Sequence, residues 1–98
     1  MNPAHNKALL PGQELIAQGL ADLSRGQVTD ASLLVLITAP RLRRLGIQIP
    51  DRPRSPSCEH ELYARLETRF GAAAHSHYNS LIRRAVSFAQ ALEREQSH

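Results

Sequence analysis

The chain has one cysteine, no tryptophan and only two tyrosines and two phenylalanines in 98 residues. One cysteine excludes an internal disulfide framework and any zinc cluster built on thiolates. An aromatic content of 4% speaks against a base-stacking platform for single-stranded nucleic acid. No window reaches the ~18 unbroken apolar residues of a membrane span, so no membrane partner is expected. The opening Met1-Asn2-Pro3-Ala4-His5-Asn6-Lys7 has no basic stretch leading into an apolar one. A secretory leader is therefore not expected, and the cytoplasm is the expected setting. The five glycines are scattered, which excludes a glycine-rich phosphate loop. The carboxylates offer no paired-acid signature either, because Glu59 and Glu61 diverge on a helix. There is no internal repeat or low-complexity tract, and no cofactor is implied.

What is present is enough apolar material for a core. Leu, Ile, Val and Phe make up 24 residues, above the roughly 20% below which disorder is expected. The length suits a single helical domain over residues 1–98, with the polar residues 1–9 as a flexible terminus.

Helical spacing dominates. Pro11 suits a first helical turn, and Ile16, Leu20 and Leu23 share one face of a helix over Gln13–Arg25, closed by Gly26. Thr29 offers a cap and Asp30 a first-turn negative charge for a second helix. Its run Leu33-Leu34-Val35-Leu36-Ile37 is apolar on all sides, which fits a buried helix or a buried strand, with the cap favouring helix. Pro40 is expected to end or kink it, leaving Pro40–Leu45 as a separate short helical segment. Gly46–Ser57 contains Pro50, Pro53 and Pro56 and reads as an extended crossover, with Ile47 and Ile49 pinned to the core. Ser55-Pro56 then caps a helix whose Leu62, Leu66 and Phe70 form a stripe, broken at Gly71. A last helix over Ala72–Glu95, about 36 Å long, follows. The expected fold is all-α: a small bundle of four or five helices with a proline-rich extended crossover near 46–57.

The last helix carries a stripe of Ala74, Tyr78, Leu81, Ile82, Ala85, Ala89 and Leu92, widened by Val86 and Phe88. Such width suits a partner, quite naturally a second copy, meeting Ala85, Val86, Phe88, Ala89 and Leu92. The alternative is that the N-terminal helices cover it.

Charge is local. The net charge is +3, but Arg41, Arg43, Arg44, Arg52 and Arg54 stand within fourteen residues against Asp51 alone. Guanidinium forks fit phosphate, carboxylate or an acidic protein surface. A solvated or salt-bridged face is the competing reading, because the whole chain prefers Arg and has Lys7 as its one lysine. A helix-turn-helix reading of the first two helices fails, since Leu33–Ile37 exposes no polar side chain to base edges. Nucleic acid would instead be met at its phosphates, by Arg41, Arg43 and Arg44.

Metal-ligating types occur at Cys58, His60, His75 and His77. His75 and His77 diverge on a helix at i, i+2. Cys58 and His60 could converge at an irregular helix start, but further ligands would have to come from separate elements, so no metal site is expected. Cys58 lies near a helix start, which favours a thiolate, with no motif around it. Arg69-Phe70-Gly71-Ala72-Ala73-Ala74-His75 resembles the Arg-x(4–6)-His motif of HEPN-type helical ribonucleases. The resemblance implies metal-independent RNA cleavage, usually at a dimer interface. Arg69 would stabilise phosphorane charge, His75 would move the proton and Tyr78 would support the histidine. Phe70 stands where that family usually carries a polar residue. The expectation is a non-enzymatic interaction or regulatory protein, docking on a protein or a nucleic-acid backbone. The alternative is the ribonuclease.

Overall fold

Thr29 starts the helix around which the others pack. Its hydroxyl accepts from Ser32 N at 3.0 Å, and the Ser32 hydroxyl accepts from Thr29 N at 2.8 Å. This reciprocal box satisfies two backbone donors at the helix start. The computed structural model describes residues 10–50 and 57–97. Within them lie α1 (Gln13–Ser24), α2 (Asp30–Arg44), α3 (Cys58–Phe70), a 3-10 turn (Gly71–Ala73) and α4 (Ala74–Gln96). No strand occurs among the described residues, so the chain is all-helical there. The expected loose terminus over 1–9 and the Ser55-Pro56 cap lie outside them.

The apolar run that fits either helix or strand is helix. Leu33, Leu34, Val35 and Leu36 are all buried, because α1, α3 and α4 each pack on α2. An element surrounded on every side can be apolar all round. Pro40 does not end this helix, and no separate Pro40–Leu45 segment exists. Proline inside a helix costs about 3 kcal/mol through its lost donor and ring clash. Here Ala39 and Leu42 flank it in the core while Pro40 itself faces solvent. Burial of those neighbours holds the last turn in register. The helix closes after Leu45, where Gly46 N reaches Arg43 O and Ile47 N reaches Leu42 O, each at 3.0 Å. Such paired bonds satisfy the terminal carbonyls.

α1 ends in the same way: Gly26 N bonds Leu23 O at 3.0 Å and Gln27 N bonds Asp22 O at 2.8 Å. Its start differs from expectation. Pro11 lies in a turn ahead of the helix, and Gly12 is the cap at φ 74°. A side chain at Gly12 would sit 2.5 Å from Arg84 O of α4. Gly19 answers a second close approach: a Cβ there would fall onto the Ala31 carbonyl and lie 2.5 Å from Val35 Cγ2. Glycine is less favourable than alanine in a helix interior by about 1 kcal/mol, so its presence marks the tightness of the α1–α2 contact.

Asp22 ties this hairpin together. Its Oδ2 accepts from the Thr29 hydroxyl at 2.7 Å; its Oδ1 accepts from Gln18 Nε2 at 2.9 Å and from Arg25 Nη2 at 2.8 Å. The Thr29 bond, helped by Gln18 and Arg25, holds the Asp22 carboxyl below its ordinary pKa despite the opposing effect of burial.

α3 begins at Cys58, two residues beyond the position its cap was expected to set. Ser57 is the cap, accepting from His60 N at 3.1 Å. Leu62 and Leu66 enter the core, but Phe70 does not; it is 39% exposed. It stands on the last turn of α3, past the edge of the core, where the stripe has nothing left to cover it. α3 runs antiparallel to α2, since Arg65 and Arg69 near its end meet Asp30 at the α2 start. The C-terminal ends of α2 and α4 also meet, through Arg41–Glu93 and Gln96 Nε2 to Leu45 O at 2.6 Å.

Candidate functional site

The three described arginines of the group differ in their partners. Arg41 Nη2 pairs with Glu93 Oε1 of α4 at 3.3 Å. Arg43 Nη2 donates to Ile49 O at 3.4 Å, which fastens the start of the crossover to α2. Arg44 is exposed and makes no hydrogen bond or ion pair with the described residues. All three stand in the last turn of α2, where the carbonyl ends of the helix favour cations. Arg52 and Arg54 lie outside the described residues. Of the three described arginines, Arg41 and Arg43 are bound to the chain's own surface, and Arg44 is exposed with no partner among the described residues.

Three of the five residues expected to form a partner stripe on α4 lie inside. Ala85, Phe88 and Ala89 are buried in the chain's own core. The backbone at Gly12 seats against Arg84 and Phe88, so α1 covers this part of the stripe. These three side chains cannot reach a second copy in this arrangement. Val86 and Leu92 are half-buried. Leu92 lines a shallow apolar groove with Leu10, Ile16, Leu20 and Ile47.

Arg69, His75 and Tyr78 are not joined by any hydrogen bond. Arg69 pairs with Asp30 Oδ2. The His75 ring nitrogen lies 3.1 Å from Asn79 Nδ2, one turn along α4. Tyr78 packs on Tyr63 with ring centroids 5.5 Å apart. Burial, and secondarily the negative charge of Glu59, push the Tyr78 phenol above its ordinary pKa. A phenol shifted upward stays protonated at neutral pH and is a poor base. The same region disperses the metal-ligating types: Cys58 is buried, His60 is exposed, and His77 lies against Phe70. Among the described residues no three His, Cys, Asp or Glu side chains gather as a metal-holding group.

Two features of this corner escape the sequence. Arg65 Nε donates to Asp30 Oδ1 at 3.0 Å, so Arg65 and Arg69 share one carboxylate. Their i, i+4 spacing marks a common face of α3, but Asp30 is 35 residues away from Arg65. Phe70 also stacks on His77, with centroids 3.7 Å apart and planes 13° from parallel. The low aromatic content argues against a stacking surface, yet one phenylalanine and one histidine build a small one across the Gly71 break.

No known protein family, curated protein or solved structure matches the chain. No described helix is long and apolar enough to cross a membrane.

Proposed function

We propose that the protein is a non-enzymatic helical docking module of the cytoplasm that meets a nucleic-acid backbone at the arginine-bearing end of α2. The observation that carries this reading is Arg44: an exposed guanidinium with no partner among the described residues, beside Arg41 and Arg43 at one helix terminus. Arg52 and Arg54 follow within ten residues in the sequence. Planar forks of this kind fit phosphate oxygens. Burial of Leu33–Leu36 leaves α2 no face for base edges, so contact goes to the backbone and is independent of base sequence. The ribonuclease reading finds no support in the geometry, because no bond links Arg69 to His75, whose ring nitrogen lies 3.1 Å from Asn79 Nδ2.

The test is fluorescence anisotropy with labelled duplex DNA and structured RNA at two salt concentrations. The variant carries Arg41→Ser, Arg43→Ser and Arg44→Ser. The exposed Arg41–Glu93 pair contributes about 0–1 kcal/mol; Arg43 also holds Ile49 O, so circular dichroism of the variant accompanies the titration. The expected result is binding that weakens steeply with salt and is lost in the variant. Absence of binding at low salt overturns the reading and leaves an acidic protein surface as the partner to test.

A further inference from the structure

At the opposite end of α2, two guanidiniums converge on one carboxylate. Asp30 takes one bond from Arg65 and one from Arg69. Each guanidinium has five N–H donors, so one bond apiece leaves most of both forks unused. The side chains of Arg65 and Arg69 are 40% and 50% exposed, whereas Asp30 is 22% exposed. A surface cleft lined by Arg65, Thr68 and Arg69 opens beside them. The Thr68 hydroxyl is turned back onto Ala64 O at 3.0 Å, leaving the two arginines as the charged walls. Next to the cleft stands the Phe70–His77 stack, with the Arg69 guanidinium carbon 5.3 Å from the Phe70 ring centre.

An arginine pair beside a partly exposed aromatic stack suits a phosphate attached to a planar base. We propose that this cleft binds a nucleoside phosphate. The phosphate takes the Arg65 and Arg69 forks, the base lies against the Phe70–His77 stack, and Asp30 competes for the same two guanidiniums. A phosphate monoester carries close to two negative charges at neutral pH and three acceptor oxygens, so it outbids a single carboxylate for paired forks. Asp30 released from the arginines still sits in the first turn of α2, where the helix dipole favours its charge. The site is separate from the arginine end of α2, at ~21 Å along the helix axis. A free nucleotide and the 5′ end of a single strand present the same chemistry.

Titration calorimetry with adenosine monophosphate, adenosine, inorganic phosphate and a short oligoadenylate with and without a 5′ phosphate tests this. Adenosine monophosphate is expected to bind about tenfold more tightly than inorganic phosphate, because a stacked base adds to the ion pair. Asp30→Asn removes the competitor and is expected to tighten binding about tenfold, whereas Arg69→Gln weakens it at least that much. A purely structural role for the ion pair predicts no gain from Asp30→Asn. Phe70→Leu leaves the ion pair intact and is expected to reduce adenosine monophosphate to the affinity of inorganic phosphate. Tighter binding of the 5′-phosphorylated strand than of the mononucleotide assigns the site to strand ends; the reverse order assigns it to free nucleotides. The proposal is overturned by no binding of any phosphate, by unchanged or weaker binding in Asp30→Asn, or by full affinity in Phe70→Leu. If Asp30→Asn fails to fold, Phe70→Leu decides alone.

Discussion

The two ends of α2 both gather arginine, and they use it in opposite ways. At the C-terminal end Arg41, Arg43 and Arg44 belong to α2 itself and stand in its last turn. They complement the helix dipole whether or not anything else is near. At the N-terminal end the arginines belong to α3 and are drawn together by Asp30. One end is a local property of a helix; the other exists only because two helices pack antiparallel. The lesson is that a charge cluster in sequence and a charge cluster in space are different objects. Of the segment's described arginines, Arg41 and Arg43 make internal contacts, while Arg65, which no sequence pattern singles out, and Arg69, read in the sequence only with His75, share a single acid.

The largest effect comes from the shaft that holds the two ends apart. Leu34→Ala removes a fully buried side chain at the crossing of the helices and is expected to cost about 2–5 kcal/mol, read from the urea midpoint. Both ends should lose their geometry together, and a loss at one end alone would mean that they fold independently. Gly19→Ala comes next. Helix propensity alone predicts a gain of about 1 kcal/mol. Contact with the Ala31 carbonyl and Val35 predicts a net loss of about 1–3 kcal/mol instead, and the sign of the change in thermal midpoint decides.

Thr29→Ala attacks the N-terminal end only. It deletes both the α2 cap and the hydroxyl that donates to Asp22, and about 1–2 kcal/mol is expected to go. Acid titration sharpens the same point. The Asp22 carboxyl is held below its ordinary pKa, so its contribution is fully present above about pH 4 and is lost as pH falls through its folded value. Asp22→Asn should flatten that part of the stability profile, and an unchanged acid limb would remove Asp22 from the account. Arg41→Ser at the other end breaks one exposed pair with Glu93 and should cost at most about 1 kcal/mol. A larger loss would show that the C-terminal arginines serve the fold rather than a partner.

Much of the helical pattern is legible in the order of residues alone. Thr29 as a cap, Gly26 and Gly46 after helix ends, and the periodic Leu62 and Leu66 all express interactions within a few residues. Boundaries set by competition were not legible. Pro40 alone marks a stop, yet Ala39 and Leu42 hold the helix through it by burial against α2's neighbours. Phe70 alone continues a stripe, yet its position beyond the core leaves it on the surface. The apolar width of α4 fits a partner or the chain's own helices equally well. Gly12, seated on Arg84 and Phe88, shows that α1 takes that face.

By itself, the sequence determined that this protein is helical, where most of its helices begin and end, and that its charge is arginine. Those properties follow from hydrogen bonds and side-chain periodicity over three or four residues, which the order of residues carries directly. Only the tertiary structure decided that Asp30 faces Arg65 and Arg69, that Phe70 meets His77, and that Ala85, Phe88 and Ala89 lie inside. These contacts join different elements. They are set by how helices of given width pack around α2, and no local rule links residues 30 and 65 until that packing brings them within bonding distance.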